Sequence, residues 1–165
     1  MNTSMKPSRR FYRALLCGGA FVFTTPTTLH AGSATWKVNP PTNSWNSASN
    51  WTPATVPNSP SDTATFPTSN VSNVMINSSV ELNALVFSSI AFPYTITLGD
   101  AAGLSIVNLV LSGAGISNNI PSVLQTINIA SNLAENGTPN TLSFLNNATI
   151  SDSTGLAIHV EALGG

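Results

Sequence analysis

The sequence predicts an all-β domain built as a parallel β-solenoid, and three observations support this prediction. Short apolar runs rich in Val, Ile, Thr and aromatic residues recur about every eight to twelve residues from residue 70 onward. Several runs alternate strictly, as in YTITL (94–98), where every second side chain is apolar. No stretch combines sustained helical periodicity with caps, and charged residues are only 7% of the chain. Ser, Thr and Asn must therefore supply the polar surface, and these residues suit turns and sheets better than helices.

Residues 1–31 are predicted to be a signal peptide. Four of the five Lys and Arg residues lie in the first thirteen positions, and the apolar stretch ALLCGGAFVF (14–23) follows them. Ala31 is a plausible small residue for cleavage. The apolar stretch is too short to span a bilayer as a permanent helix. We therefore expect a secreted or cell-surface protein, without a disulfide because Cys17 would leave with the signal.

Removal of residues 1–31 changes the charge balance of the chain. The remainder holds a single cation, Lys37, against six Asp and Glu residues, which gives a net charge of about −5. Binding to nucleic acid requires a basic surface that neutralises phosphates. The composition therefore excludes nucleic acid as a partner.

Residues 32–67 are predicted to form an N-terminal cap rich in Trp and Pro. A solenoid has an exposed first coil, and large aromatic side chains can cover it. The alternative is a carbohydrate-binding module in which Trp45 and Trp51 stack on sugar rings while Asn46 and Asn50 donate hydrogen bonds. Buried aromatic area is the commoner use of Trp, so the cap is favoured.

Residues 68–165 are predicted to form the stacked coils, or rungs, of the solenoid. Segments 81–100, 104–132 and 142–160 each hold two or more strand-like runs and are each long enough for one rung. A β-sandwich is the alternative, but it would usually show hairpin turn pairs between strands, and few are present. Asn residues at the turns would tolerate left-handed backbone and could stack their side-chain amides between rungs.

One long motif resembles a known family. The stretch TWKVNPPTNSWNSASNWTPATVPNSPSDTATF (35–66), followed by strand–Gly–Asn repeats such as LVLSGAGISNN (109–119), is similar to autotransporter-passenger-like β-solenoid proteins secreted by bacteria. The resemblance implies a right-handed parallel β-helix on the cell surface with a structural or adhesin-like role. No membrane β-barrel segment or sorting tail follows in this sequence, so the resemblance implies a short or truncated member. The outer membrane would be a partner only if a barrel segment is missing from this chain.

The sequence offers no catalytic constellation, and we predict that the protein is not an enzyme. A polysaccharide lyase or hydrolase, the less favoured alternative, needs paired carboxylates or a carboxylate with a basic residue, whereas the acids here are scattered singly. His159 and Glu161 alternate on one strand, but such a pair is usually solvated. We expect no metal, no cofactor and no catalytic residue. The expected partners are cell-surface glycans or other surface proteins.

Overall fold

A computed structural model describes Met1 and residues 32–99, 106–130, 140–151 and 155–160. The predicted signal peptide therefore lies outside the described residues, apart from Met1. The fold is all-β and includes a short 3₁₀ turn at Ala48–Asn50. Among these residues there is no helix long and apolar enough to cross a membrane.

The described residues form eleven strands, most of them short and alternating between buried and half-exposed positions. Their bounds are β1 Ala34–Trp36, β2 Trp51–Thr52, β3 Ser59–Phe66, β4 Asn73–Ile76, β5 Val80–Phe87, β6 Thr95–Leu98, β7 Asn108–Asn118, β8 Gln125–Ile129, β9 Thr141–Phe144, β10 Thr149–Ser151 and β11 Leu156–Val160.

The strands coil into a parallel β-solenoid of about three turns. One sheet of the described residues contains β1, β3, β5 and β7 in parallel order, with β9 and β10 both paired to β7 and with β2 antiparallel at the far edge. The other sheet contains β4, β6, β8 and β11, all parallel. From β3 to β9 consecutive strands alternate between the two sheets and pair in parallel with the coil before, so the solenoid is confirmed and the β-sandwich alternative is wrong.

The predicted rungs correspond to these coils. Segment 81–100 contains most of β5 and all of β6, segment 104–132 contains β7 and β8, and segment 142–160 contains β10, β11 and most of β9. The predicted cap, residues 32–67, contains β1, β2 and β3, and β3 pairs in parallel with β5. The domain boundary at residue 67 stays a prediction.

The core lies between the two sheets and is built from ladders of like residues. Phe66 lies in register with Phe87 on the first sheet. Val74, Ile96 and Ile127 are in register on the second sheet, and all five side chains are at most 1% exposed. Full burial of one such side chain is worth about 1.5–3 kcal/mol. In β4 and β6 buried apolar residues alternate with more exposed ones, so each of these strands aims an apolar row inward.

The first sheet bends at a register shift that repeats from coil to coil. Between β5 and β7 the shift sets Asn83 opposite the three residues 112–114. The Asn83 side chain accepts a hydrogen bond from the Ala114 amide (3.3 Å) and donates one to the Thr63 hydroxyl (3.4 Å). A Cβ on Gly113 would collide with the Asn83 side chain, so the bend requires glycine there. The extra residues of such a bulge bend the strand and divide the sheet into two segments.

The next coil makes the same bend with left-handed Asn residues. Asn146 and Asn147 have φ values of 51° and 68°, and they separate β9 from β10. The Asn146 amide donates to the Ser112 carbonyl of the preceding coil at 3.2 Å. This confirms that Asn at the turns adopts left-handed backbone. The Asn146 amide bonds the backbone of the preceding coil, and the predicted stacking of Asn amides between rungs stays a prediction.

Candidate functional site

The first coil contains a cluster of aromatic side chains, which we call the aromatic cluster. β1 supplies Trp36, β2 supplies Trp51, and Trp45 follows a one-residue bridge between Ser44 and Met75. The Trp51 ring centroid lies 4.9 Å from that of Trp36 and 4.8 Å from that of Trp45, both edge-to-face. The members of the aromatic cluster are Trp36, Trp45, Trp51, Phe66, Phe87 and Tyr94.

The three tryptophan N–H groups all donate to backbone carbonyls within the fold. The Trp36 indole donates to the Val71 carbonyl at 2.9 Å, and the Trp45 indole donates to the Pro57 carbonyl at 3.1 Å. The Trp51 indole donates to the Trp45 carbonyl at 2.7 Å. None of these indole groups is left to bind a ligand.

The two asparagines predicted to contact sugar do not form an exposed site. Asn50 is fully buried at the end of the 3₁₀ turn. Its side chain accepts from the Thr42 amide at 3.1 Å and donates to the Ser44 carbonyl at 2.6 Å, so it holds the loop that precedes it. Asn46 is half-buried, and among the described residues its buried Oδ1 has no hydrogen-bond partner. These contacts give Asn50 a structural role.

The structure speaks against the alternative in which Trp45 and Trp51 form a sugar-stacking platform. The two residues do lie together, but each is 0% exposed, so neither ring presents a face to solvent. β2 runs back antiparallel to β1 and directs Trp51 against Trp36 and the core. The residue types alone did not show this, because tryptophans among Asn, Ser and Pro fit both interpretations.

A buried polar group links two coils beside the aromatic cluster. The Tyr94 hydroxyl donates to the Pro67 carbonyl at 2.8 Å, and the Tyr94 amide donates to Gln125 Oε1 at 2.8 Å. Burial raises the pKa of Tyr94 to about 12, and a hydrogen bond with Ser69 opposes part of that rise. Tyr94 is therefore neutral at physiological pH and cannot act as a base there. Gln125 is fully buried, and its Nε2 has no hydrogen-bond partner among the described residues.

The outward face of the second sheet carries two rows of mostly polar side chains, which we call the outward rows. Their residues are in register from coil to coil, so neighbours lie about 4.8 Å apart. Alternation in the sequence predicts that Thr95 and Thr97 point outward. Which residues of the neighbouring coils lie beside them is seen only in the pairing register of the strands. The rows are Asn73, Thr95, Thr126 and Ala157, and Met75, Thr97, Asn128 and His159.

The chemistry of the outward rows is that of hydrogen bonding rather than catalysis. Hydroxyl and amide groups both donate and accept hydrogen bonds. His159 is exposed at the end of its row, and its proposed neighbour Glu161 lies outside the described residues. Within residues 32–99, 106–130, 140–151 and 155–160, no three His, Cys, Asp or Glu residues come together as a metal site would require.

Comparison with known proteins finds no matching family model, no matching curated protein and no matching solved structure. Function must therefore be argued from the residues of this chain.

Proposed function

We propose that this chain is a non-catalytic structural solenoid of a secreted or cell-surface protein, with an adhesin-like outer surface. The observation that carries the proposal is the use of buried polar side chains to join coils. In the described residues these side chains bond backbone groups of the fold rather than converge on an accessible site.

Asn140 shows this use of polar groups in detail. It is 4% exposed, and its Oδ1 accepts from the Val107 amide at 2.7 Å. Its amide donates to the Ala130 carbonyl at 2.7 Å and to the Leu98 carbonyl at 3.2 Å. One side chain thus satisfies backbone groups of two successive coils. Buried amides that are fully bonded rigidify a fold and leave little capacity for a ligand.

The adhesin-like part of the proposal is supported by the outward rows. A surface made mostly of hydroxyl and amide groups suits contact with neutral polar partners such as cell-surface glycans or other surface proteins. Contacts of this kind depend little on salt, because few charges are available to be screened. The N-terminal basic and apolar segments supply the route to the cell surface.

The location is tested by the intact mass of the native product, measured separately in cytoplasm, membrane, periplasm and medium. We expect a species with the mass of residues 32–165 outside the cytoplasm, or a larger membrane-held species that begins at residue 32. A chain that keeps residues 1–31 and stays in the cytoplasm would contradict the proposal.

The surface role is tested by retention of the labelled native product on a glycan panel and on bacterial cells. We expect retention that is lost when Thr95 and Thr97 are both changed to Ala. The matched control changes Thr35 and Thr65 to Ala, because these two residues are paired on the first sheet and half-buried like the test pair. If the wild type, the test variant and the control variant are all retained equally, or if none is retained, the outward rows do not form the binding surface.

The non-catalytic part is tested by incubating the native product with pectin, alginate and xylan. We expect no release of reducing or unsaturated ends. Release that continues after purification to constant specific activity would overturn this part, whatever the binding experiment shows.

A further inference from the structure

One corner of the solenoid carries a set of exposed apolar side chains. In the described parts of residues 32–130, four large apolar side chains are exposed: Val38 at 56%, Ile90 at 62%, Phe92 at 48% and Leu124 at 56%. All four lie in the segments that lead from a strand of the first sheet to the second sheet. We call these four residues the apolar stripe.

The pairing of neighbouring coils places these segments side by side. The Asn70 amide donates to the Val38 carbonyl at 2.9 Å, and the Thr68 hydroxyl donates to the Ile90 carbonyl at 2.7 Å. β6 and β8 begin in register, so the segment that ends at Leu124 follows the one that contains Ile90. The apolar stripe therefore runs along the side of the solenoid over four coils, a length of about 14 Å at about 4.8 Å between coils.

The turn at residues 88–92 directs a small side chain inward and two large ones outward. The Ala91 amide donates to the Ser88 carbonyl at 3.0 Å, and Ala91 is 2% exposed although Ile90 and Phe92 beside it are not buried. Packing of the core alone favours the reverse arrangement, with the large side chains inside. Apolar side chains that are exposed next to one another, rather than singly, mark an interaction surface.

The apolar stripe is also free of charge. Segments 67–72, 88–94 and 119–124 contain no Lys, Arg, Asp or Glu. Lys37 precedes Val38, and its ammonium group donates to the Ser49 carbonyl at 2.7 Å. Surfaces that bind lipid usually add a cluster of cations to their apolar side chains, because the cations attract anionic headgroups. An uncharged apolar surface of a protein is therefore the better fit to this stripe.

We propose that the apolar stripe binds the apolar stripe of a second copy of this chain, side by side and in opposite directions. A contact between identical patches closes after two copies, as in most homodimers. Opposite directions set Val38 of one copy against Leu124 of the other, and Phe92 against the half-buried Val71. Coils stacked at either end of the solenoid would leave its side uncovered, so this contact does not depend on the length of the solenoid.

The area of the apolar stripe sets the expected strength of the dimer. A large apolar side chain has about 200 Å² of surface, so four that are about half exposed present about 400 Å² in each copy. Two copies then bury about 800 Å², and the exposed Pro93 and Pro121 beside the stripe raise the total to about 1,000 Å². This is the low end of specific interfaces, so we expect a dimer that dissociates on dilution through the micromolar range.

The test is sedimentation velocity of the native product over a wide concentration series, with Phe92→Lys and Leu124→Lys as variants. Leu145→Lys is the matched control, because Leu145 is 49% exposed but lies between β9 and β10. We expect the wild type and Leu145→Lys to pass from monomer to dimer as the concentration rises, and both stripe variants to stay monomeric over the same range.

Four results of this experiment would overturn the proposal. They are a monomer at all concentrations, an open-ended series of oligomers, a dimer retained in Phe92→Lys or in Leu124→Lys, and a dimer lost in Leu145→Lys as well. Vesicles of phosphatidylcholine test the other occupant, and we expect the wild type not to bind them. Vesicle binding by a monomeric wild type that Phe92→Lys abolishes would assign the stripe to a lipid surface and contradict the dimer.

Hydrogen exchange keeps the proposal testable if the lysine variants fail to fold. In the wild type, raising the protein concentration should slow exchange of the amides in residues 88–92 and 119–124 and leave those in residues 145–148 unchanged. Slowing at residues 145–148, or at none of these segments, would place the contact elsewhere or show that it does not form.

Discussion

Replacement of Trp51 by Ala is the most direct test of how the first coil is held together. The ring is fully buried and lies within 5.6 Å, centroid to centroid, of Trp36, Trp45 and Phe66. Its N–H also satisfies the Trp45 carbonyl at 2.7 Å. The substitution therefore leaves a large cavity and an unpaired acceptor together.

The expected loss follows from those two consequences. A buried Trp→Ala change costs about 3–5 kcal/mol, which includes the loss of edge-to-face ring contacts. The orphaned carbonyl adds about 1 kcal/mol or more unless water reaches it. A loss near 5 kcal/mol would remove much of the stability of a typical domain, which is about 5–15 kcal/mol.

The assay is equilibrium urea unfolding of Trp51→Ala and of Phe92→Ala, followed by circular dichroism. Phe92 is the matched aromatic control, because it is 48% exposed. We expect Phe92→Ala to change stability by about 0.5 kcal/mol or less, and both variants to keep the slope of the wild type. If Trp51→Ala lowers the free energy of unfolding by as little as Phe92→Ala does, the buried aromatic cluster is refuted. The sugar-stacking platform would then again be a candidate.

Three further predictions concern single positions. Gly115→Ala should lower the free energy of unfolding in urea by about 3 kcal/mol or more, because φ is 87° and the new Cβ would collide with the Thr149 backbone. The control is Gly32→Ala, which should cost about 0.5 kcal/mol or less because its nearest contact would be 3.6 Å away. Stability should be full below pH 10 and fall as the pH rises toward 12, because the unfolded phenol ionises before Tyr94 does; a Tyr94→Phe protein that declines equally over this range would contradict this. Asn140→Ala should cost about 3 kcal/mol, because it leaves buried backbone groups unpaired. In the wild type the Val107 amide donates to Asn140, so unchanged hydrogen exchange at that amide in the variant would contradict this role.

Much of the solenoid was predictable from local alternation. The pattern in YTITL aims Ile96 inward and Thr95 outward whatever the neighbouring coil contains, and β6 has that arrangement. The separate runs LSFL and ATI likewise anticipated β9 and β10 within one or two residues. Alternation is a property of single strands, so it can be read without knowing which strands pair.

The arrangement of the first coil was not predictable in the same way. Whether Trp51 faces solvent or core depends on β2 running antiparallel to β1, and β2 is only two residues long. No alternation can be read from two residues. The role of Asn50 depends on hydrogen bonds to Thr42 and Ser44, across a loop with no regular pattern. Side chains of the same types serve exposed platforms and buried caps, so only the fold separates the two.

The separation of inward and outward residues also directs the search for function. Cores accept exchange among apolar residues of similar volume, so positions such as Ile96 and Ile127 are constrained by size and polarity alone. Outward residues such as Thr95 and Thr97 occupy alternate positions on β6, and their half-buried side chains point away from the core. Substitutions on the outward rows can therefore change recognition while the fold remains intact. A change in binding without a change in unfolding is the signature that would assign those rows a function.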